Sequence, residues 1–124
     1  MAHKILVVED DPDVSSFLTF GLKHAGYEVF HAQDGEEGLY LTKATRPDLI
    51  VLDLHMPRMH GFAVCEALRA DPELARIKII VSTAKNYQVD RKAAAAAGAD
   101  RFMVKPYGIK DLLDNISELL KNAS

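Results

Sequence analysis

The segment LIVLD, residues 49–53, consists of four consecutive apolar residues that end in an aspartate. A nearly continuous apolar run of this length is typical of a strand buried on both faces of a parallel sheet. Similar short runs, rich in β-branched residues, occur on either side of it along the chain. The predicted strands are Lys4–Val8, Glu28–Ala32, Asp48–Leu52, Lys78–Ser82 and Arg101–Val104.

The longer segments between these runs have the spacing of amphipathic helices. The apolar residues of the first segment recur three and four positions apart: Val14, Phe17, Leu18, Leu22 and Ala25. The predicted helices are Pro12–Ala25, Glu36–Ala44, Phe62–Ala70, Asp90–Ala97 and Ile109–Lys121. Five strands that alternate with five helices predict a doubly wound α/β fold, (βα)5. Right-handed crossovers then place helices on both faces of one parallel sheet.

Length and composition favour one compact domain over residues 1–124. The chain has 124 residues, of which 48% are hydrophobic, and a formal net charge of −3. This charge does not fit a broadly basic nucleic-acid-binding domain. The single cysteine, Cys65, excludes an internal disulfide and a cysteine-rich zinc site. No apolar run is long enough to span a membrane, and the N-terminal residues do not form a signal peptide, so we expect a cytoplasmic protein.

Charged and hydroxyl residues follow the predicted strands at their carboxyl ends, where open α/β sheets bind ligands. Glu9 and Asp10 follow the first strand, Asp53 the third, Thr83 the fourth and Lys105 the fifth. Carboxylates about 6 Å apart repel by roughly 3 kcal/mol per pair at an effective dielectric of about 20. A hard divalent ion such as Mg²⁺ offsets that repulsion, and the lysine supplies a second positive charge.

Carboxylates, a lysine and a threonine hydroxyl around such an ion favour phosphoryl chemistry. Mg²⁺ keeps several waters and often completes its coordination with phosphate oxygens. The cations then neutralise the equatorial phosphoryl oxygens, while one carboxylate acts as nucleophile and becomes an aspartyl phosphate.

Four segments of the chain resemble the receiver domain of response regulators in two-component signalling. They are ILVVEDD in the first strand, LIVLDLHMPRMHG around Asp53, IIVSTA with Thr83, and FMVKP with Lys105. Asp53 is separated from Thr83 by 30 positions and from Lys105 by 52, which also matches. The resemblance covers essentially the whole chain and implies a flavodoxin-like sheet with strand order 2-1-3-4-5.

The resemblance assigns a phosphoacceptor and a set of metal ligands. Asp53 would accept the phosphoryl group and also contact Mg²⁺. Asp10 would bind the ion directly, whereas Glu9 would act mainly through a bound water. The backbone carbonyl of His55 would supply another ligand.

Three residues are assigned to phosphate contact and switching, and one peptide bond is expected to be cis. Thr83 and Lys105 would each contact a phosphoryl oxygen, and Thr83 would move inward when the phosphate arrives. Phe102 occupies the position of an aromatic switch residue, and the Lys105–Pro106 peptide bond would be cis. Ser82 is the alternative candidate for the phosphate contact assigned to Thr83, since strand alternation should bury one of the two residues and present the other.

The resemblance also implies partners. The phosphodonor would be a phosphohistidine on a sensor histidine kinase or a histidine phosphotransfer protein. The fourth helix, fifth strand and fifth helix, around residues 90–121, would form the output surface toward a downstream protein or output domain, or toward a second copy in a homodimer. We expect no direct binding of nucleic acid or membrane by this domain. We also expect no enzymatic turnover beyond its own phosphorylation and dephosphorylation.

Two other functions compete with a phosphorylation switch. A pseudo-receiver would keep the fold without phosphate chemistry, but the intact acids, threonine and lysine argue against it. A phosphohydrolase of the haloacid-dehalogenase type requires a second aspartate two residues after the first, where this chain has His55.

His55 and Lys85 stand two residues after Asp53 and Thr83, and Lys85 cannot accept a proton from an attacking water. We therefore expect self-dephosphorylation that is not among the fastest of the family.

Overall fold

The computed structural model describes residues 2–54, 61–84 and 88–121. They form a five-stranded parallel sheet in the order β2-β1-β3-β4-β5, which confirms the predicted α/β fold and strand order. The strands are β1 (Lys4–Val8), β2 (Glu28–Ala32), β3 (Leu49–Asp53), β4 (Lys78–Thr83) and β5 (Arg101–Val104). The helices are α1 (Pro12–His24), α2 (Gly35–Thr45), α3 (Gly61–Ala70), α4 (Gln88–Ala97) and α5 (Ile109–Lys121).

Two hydrophobic cores lie on the two faces of the sheet. The first core joins alternate strand residues to α3 and α4, as in the group Leu52, Val81, Leu68 and Ala94. The second core joins the intervening strand residues to α1 and α5, as in the group Val51, Ile80, Leu18 and Leu112. β1 and β3 are covered on both faces, which explains why their sequences are apolar at nearly every position. The buried Cys65 belongs to the first core.

Two strands extend one residue beyond their predicted ends. The parallel ladder continues through the pairs Asp53–Ser82 and Thr83–Val104. The polar residues Asp53 and Thr83 are therefore the last members of β3 and β4, and the backbone of the sheet holds them.

Side-chain caps fix the beginnings of α1 and α2. The Asp11 side chain accepts from the backbone N–H groups of Asp13 and Val14, and Asp34 accepts from that of Glu37. These bonds satisfy amide groups that the first turn of a helix leaves without a partner.

Phe17 does not belong to the buried face of α1, although its spacing places it with the apolar residues of that helix. Leu18 and Leu22 face the sheet, whereas Phe17 is 52% exposed. One residue corresponds to a rotation of about 100° around a helix, so Phe17 turns toward the side of α5. There it lines a surface cavity with Ile109 and Leu113.

None of the helices among residues 2–54, 61–84 and 88–121 combines the length and apolar composition required to cross a bilayer.

Candidate functional site

Three carboxylates meet at the carboxyl ends of the two central strands. Glu9 and Asp10 follow β1, and Asp53 is the last residue of β3. One carboxylate oxygen from each lies within 4.8 Å of the others. Glu9 is 3% exposed and Asp53 6%, whereas Asp10 is exposed to solvent. The strand order reverses between β1 and β3, which is the point where open α/β sheets bind ligands.

The backbone of Glu9 is fixed by β2. Its N–H donates to the carbonyl of Ala32 at 3.0 Å, and its own carbonyl lies 2.9 Å from Nε2 of His31. The backbone of Glu9 therefore continues the sheet one residue beyond the end of β1 and fixes the position from which its side chain extends.

Lys105 supplies the positive charge of the site. Its Nζ lies 2.9 Å and 3.1 Å from the two carboxylate oxygens of Glu9, and 3.8 Å from Oδ2 of Asp53. Its backbone N–H donates to the carbonyl of Thr83 at 2.7 Å, and the peptide bond to Pro106 is cis. The lysine thus joins the end of β5 to the acids at the ends of β1 and β3.

Burial and neighbouring charges shift the pKa values of Glu9 and Lys105. Burial raises the pKa of Glu9 to about 7, since the opposing hydrogen bond from Lys105 does not fully offset the loss of water. Burial alone would lower the pKa of Lys105, but the hydrogen bonds to Glu9 and the charge of Asp53 outweigh it and raise that pKa. The shift of Lys105 shows that the two carboxylates favour a positive charge beside them, whereas the shift of Glu9 mainly reflects the cost of burying its own charge.

The donor set fits a divalent oxygen-binding cation. Carboxylate oxygens are the ligands that Mg²⁺ and Ca²⁺ prefer, and three of them converge here within 4.8 Å. Partial exposure leaves room for water ligands on the side of Asp10. His55, the fourth predicted ligand, lies outside the described residues, as does Lys85.

Ser82 and Thr83 do not divide into one buried and one presented residue, so that prediction was wrong. Ser82 is 2% exposed and Thr83 fully buried, because β4 is covered on both faces. Alternation separates them by face instead: Ser82 lies on the side of the second core, and Thr83 on the side of the first. The Ser82 hydroxyl lies 2.8 Å from the hydroxyl of Tyr107.

Phe102 lies on the same face of the sheet as Thr83. It is half-buried against the first core, and Val81 is its partner in the β4–β5 ladder. The guanidinium carbon of Arg91, on α4, lies 4.7 Å from the centre of the Phe102 ring. This distance is within the range of a cation–π interaction, which joins α4 to β5.

The sequence pattern did not indicate Tyr107 or Arg91. The only signal for Tyr107 is its position directly after Lys105 and Pro106, and Arg91 carries no signal beyond its place on a helix. Their contacts depend on the strand register and on side-chain conformation, which neither spacing nor residue type reveals.

Comparison with known proteins agrees with this geometry. Residues 5–117 match the family model of the response regulator receiver domain. The chain is 37% identical over 118 residues to the DNA-binding dual master transcriptional regulator RpaA of Synechocystis sp., covering 95% of this chain and 49% of that protein. It spans about half the length of the curated relatives that it matches.

Solved structures show the same fold. The receiver domain of a signal transduction histidine kinase from Syntrophus aciditrophicus superposes with a TM-score of 0.90 at 36% identity, covering 97% of this chain and 91% of that chain. The receiver domain of a sensor histidine kinase from Pseudomonas aeruginosa, which has a magnesium ion in its active site cleft, gives a TM-score of 0.91 at 27% identity. That match covers 98% of this chain and all of the other. With the family match over residues 5–117, these comparisons show that the chain belongs to the response regulator receiver domain family.

Proposed function

We propose that the chain is one receiver domain over residues 1–124 and acts as a phosphorylation-dependent switch in a cytoplasmic two-component pathway. Asp53 accepts a phosphoryl group in the presence of Mg²⁺, and the phosphodonor is a phosphohistidine on a sensor kinase or a phosphotransfer protein. The observation that carries this proposal is the convergence of three carboxylates within 4.8 Å beside the ammonium of Lys105.

Asp10, Glu9, Asp53 and the backbone carbonyl of His55 would hold Mg²⁺. The ion would supply positive charge to the equatorial phosphoryl oxygens as transfer proceeds. Asp10 is exposed to solvent and takes no part in the Lys105–Glu9 pair, so it could contact such an ion directly. Direct contact from Asp10 and contact through water from Glu9 are consistent with this arrangement.

The transfer forms one bond and breaks another. A carboxylate oxygen of Asp53 attacks the phosphorus while the phosphorus–nitrogen bond of the phosphohistidine breaks and the imidazole leaves. The product is an acyl phosphate on Asp53. Lys105 and Thr83 donate hydrogen bonds to the phosphoryl oxygens, and the burial of Asp53 strengthens these interactions.

Thr83 and Phe102 carry the signal to the output surface. The new phosphoryl group adds close to two negative charges beside Thr83, so it favours the state in which that hydroxyl is drawn inward. Phe102, on the same face of the sheet, then packs behind it and α4 shifts. The surface around residues 90–121 would bind a downstream protein, an output domain or a second copy of the domain. RpaA, which has about twice this length, is described as DNA-binding, consistent with an output domain in a longer protein.

Intact mass spectrometry tests the proposal. The protein is incubated with Mg²⁺ and acetyl phosphate, and in parallel with the chelator EDTA. We expect the wild type to gain one phosphoryl group only with Mg²⁺, and Asp53→Ala to gain none. Asp114→Ala is the matched control, because Asp114 is exposed on α5 and pairs only with a lysine one turn earlier among the described ion pairs. Equal uptake by Asp53→Ala and the wild type would exclude Asp53 as the acceptor.

A further inference from the structure

The hydroxyl pair formed by Ser82 and Tyr107 lies directly beside the candidate phosphoacceptor. Ser82 is the ladder partner of Asp53, and adjacent strands lie about 4.8 Å apart. Ser82 and Asp53 both lie on the face of the sheet that α1 and α5 cover. The Ser82 hydroxyl is buried, and its partner at 2.8 Å is the Tyr107 hydroxyl.

This pair and one backbone bond attach the segment after β5 to the end of β4. Lys105 N–H donates to the carbonyl of Thr83 at 2.7 Å, and two residues later Tyr107 meets the side chain of Ser82. Consecutive residues of β4 therefore hold Lys105 and Tyr107. Pro106, which lies between Lys105 and Tyr107, is exposed, and so is Gly108, which follows Tyr107. A Cβ added at Gly108 would have no atom within 4 Å. The hydroxyl pair is thus a polar restraint on a segment in which the Tyr107 ring packs against the second core, whereas its neighbours Pro106 and Gly108 are exposed.

The restraint bears on the position of the Lys105 ammonium. Lys105 reaches across the ends of β4 and β3 to Glu9, and its side chain is 18% exposed. The Tyr107 ring packs against the second core, and burial, partly opposed by the hydrogen bond to Ser82 and the charge of Lys105, raises the pKa of its hydroxyl. A neutral tyrosine hydroxyl donates and accepts, so it remains paired with Ser82 over the physiological pH range.

We propose that Ser82 and Tyr107 are positioning residues that hold Lys105 over the carboxylates of Glu9 and Asp53. By fixing the segment from Lys105 to Gly108, they keep the ammonium where phosphoryl oxygens would be neutralised, and so raise the rate at which Asp53 accepts a phosphoryl group. The kinetic part of this inference rests on the proposed function, whereas the positioning of Lys105 does not.

The first test measures Lys105 directly. The protein is treated with an acetylating ester, and acetylation of each lysine is followed by peptide mass spectrometry. Lys110, whose side chain is 88% exposed, is the internal reference. In Tyr107→Phe and in Ser82→Ala we expect acetylation of Lys105 to be three- to ten-fold faster relative to Lys110. The double variant should be no faster than either single variant, because both remove the same hydrogen bond.

The second test measures phosphorylation with acetyl phosphate and Mg²⁺. The limiting rate should fall three- to ten-fold in each variant, while the acetyl phosphate concentration that gives half of this rate stays unchanged. Tyr27→Phe is the matched control, since Tyr27 packs against the same core at the opposite end of the sheet. A purely structural role would lower thermal stability without changing either Lys105 acetylation or the limiting rate.

The outcomes separate the two proposals. A wild type that takes up no phosphoryl group would contradict the proposed function, but the acetylation rates would still decide whether the pair positions Lys105. Unchanged acetylation of Lys105 in both variants would overturn the positioning role. A slower rate in Ser82→Ala alone, with Tyr107→Phe unaffected, would also overturn it and would instead indicate a direct contact of Ser82 with the phosphoryl group.

Discussion

Lys105 Nζ lies 2.9 Å from Oε2 of Glu9 and 3.8 Å from Oδ2 of Asp53, so the lysine pairs most closely with the acid beside the proposed phosphoacceptor. Lys105 and a divalent cation bound by the three acids would therefore act on the same carboxylate group. When a phosphoryl group occupies the site, Lys105 must share its hydrogen bonds between Glu9 and the new oxygens.

Removal of the ammonium should destabilise the metal-free protein. In Lys105→Met, Glu9 loses its partner while it remains buried, and we expect the free energy of unfolding to fall by about 2 kcal/mol without divalent cations. Mg²⁺ should restore more stability to this variant than to the wild type, because the ion replaces the missing charge. Urea unfolding with Mg²⁺ or EDTA measures both effects. Lys110→Met, on the exposed surface of α5, should change little, and equal stabilisation of wild type and Lys105→Met by Mg²⁺ would contradict the account.

Glu9 should make stability depend on pH when no divalent cation is present. Its pKa is about 7 in the folded chain against 4.5 as the ordinary value, so the folded state binds the extra proton between these values. Stability from this group is therefore fully present below about pH 4.5 and is lost as pH rises from there through 7, by about 2 kcal/mol between pH 5 and pH 8. Urea unfolding from pH 5 to pH 8 should show this loss relative to Glu9→Gln, in which residue 9 does not titrate. If the free energy of unfolding changed with pH in the same way in both proteins, the predicted contribution of Glu9 would be contradicted.

Two glycines should respond differently to alanine. Gly98 has a φ of +104°, and a Cβ there would lie 2.6 Å from Cγ of Arg69. Arg69 also donates two hydrogen bonds to the carbonyl of Gly98, so displacement of its side chain disturbs the end of α4. We expect Gly98→Ala to lower the free energy of unfolding by about 2 kcal/mol.

Gly108→Ala is the matched comparison, because its Cβ would meet no atom within 4 Å. Its stability should fall by only about 0.5–1 kcal/mol, the ordinary cost of alanine in place of glycine directly before a helix. Similar losses in both variants, measured by urea unfolding, would show that the contact with Arg69 does not decide the outcome.

Cys65 should be unreactive in the folded protein. It is fully buried on α3, and burial raises the pKa of its thiol to about 11. At pH 8 about one thousandth of this thiol would be thiolate, the reactive form. Modification by a disulfide reagent such as DTNB should proceed only as the chain opens and should accelerate with urea in parallel with unfolding. Rapid labelling without urea would contradict the buried position.

The fold and most of the site could be predicted because both depend on simple patterns. Apolar runs such as Leu49–Leu52 indicate buried parallel strands, and the acids and lysine at strand ends must meet at one edge of the sheet. The exposure of Phe17, the preference of Lys105 for Glu9, and the contact between Ser82 and Tyr107 could not be predicted. They depend on helix rotation, strand register and side-chain conformation, which the order of residue types does not determine.

Chemical mapping of the phosphorylated residue tests the central claim most directly. Borohydride reduces an aspartyl phosphate to homoserine, so the modified position remains marked after digestion and can be assigned by fragment mass. After treatment with Mg²⁺ and acetyl phosphate, we predict homoserine at position 53 and unmodified acids at positions 9, 10 and 48. Homoserine at position 10 or 48, hydroxynorvaline (the reduction product of a glutamyl phosphate) at position 9, or no reduced residue in a protein that has gained a phosphoryl group would contradict Asp53 as the phosphoacceptor.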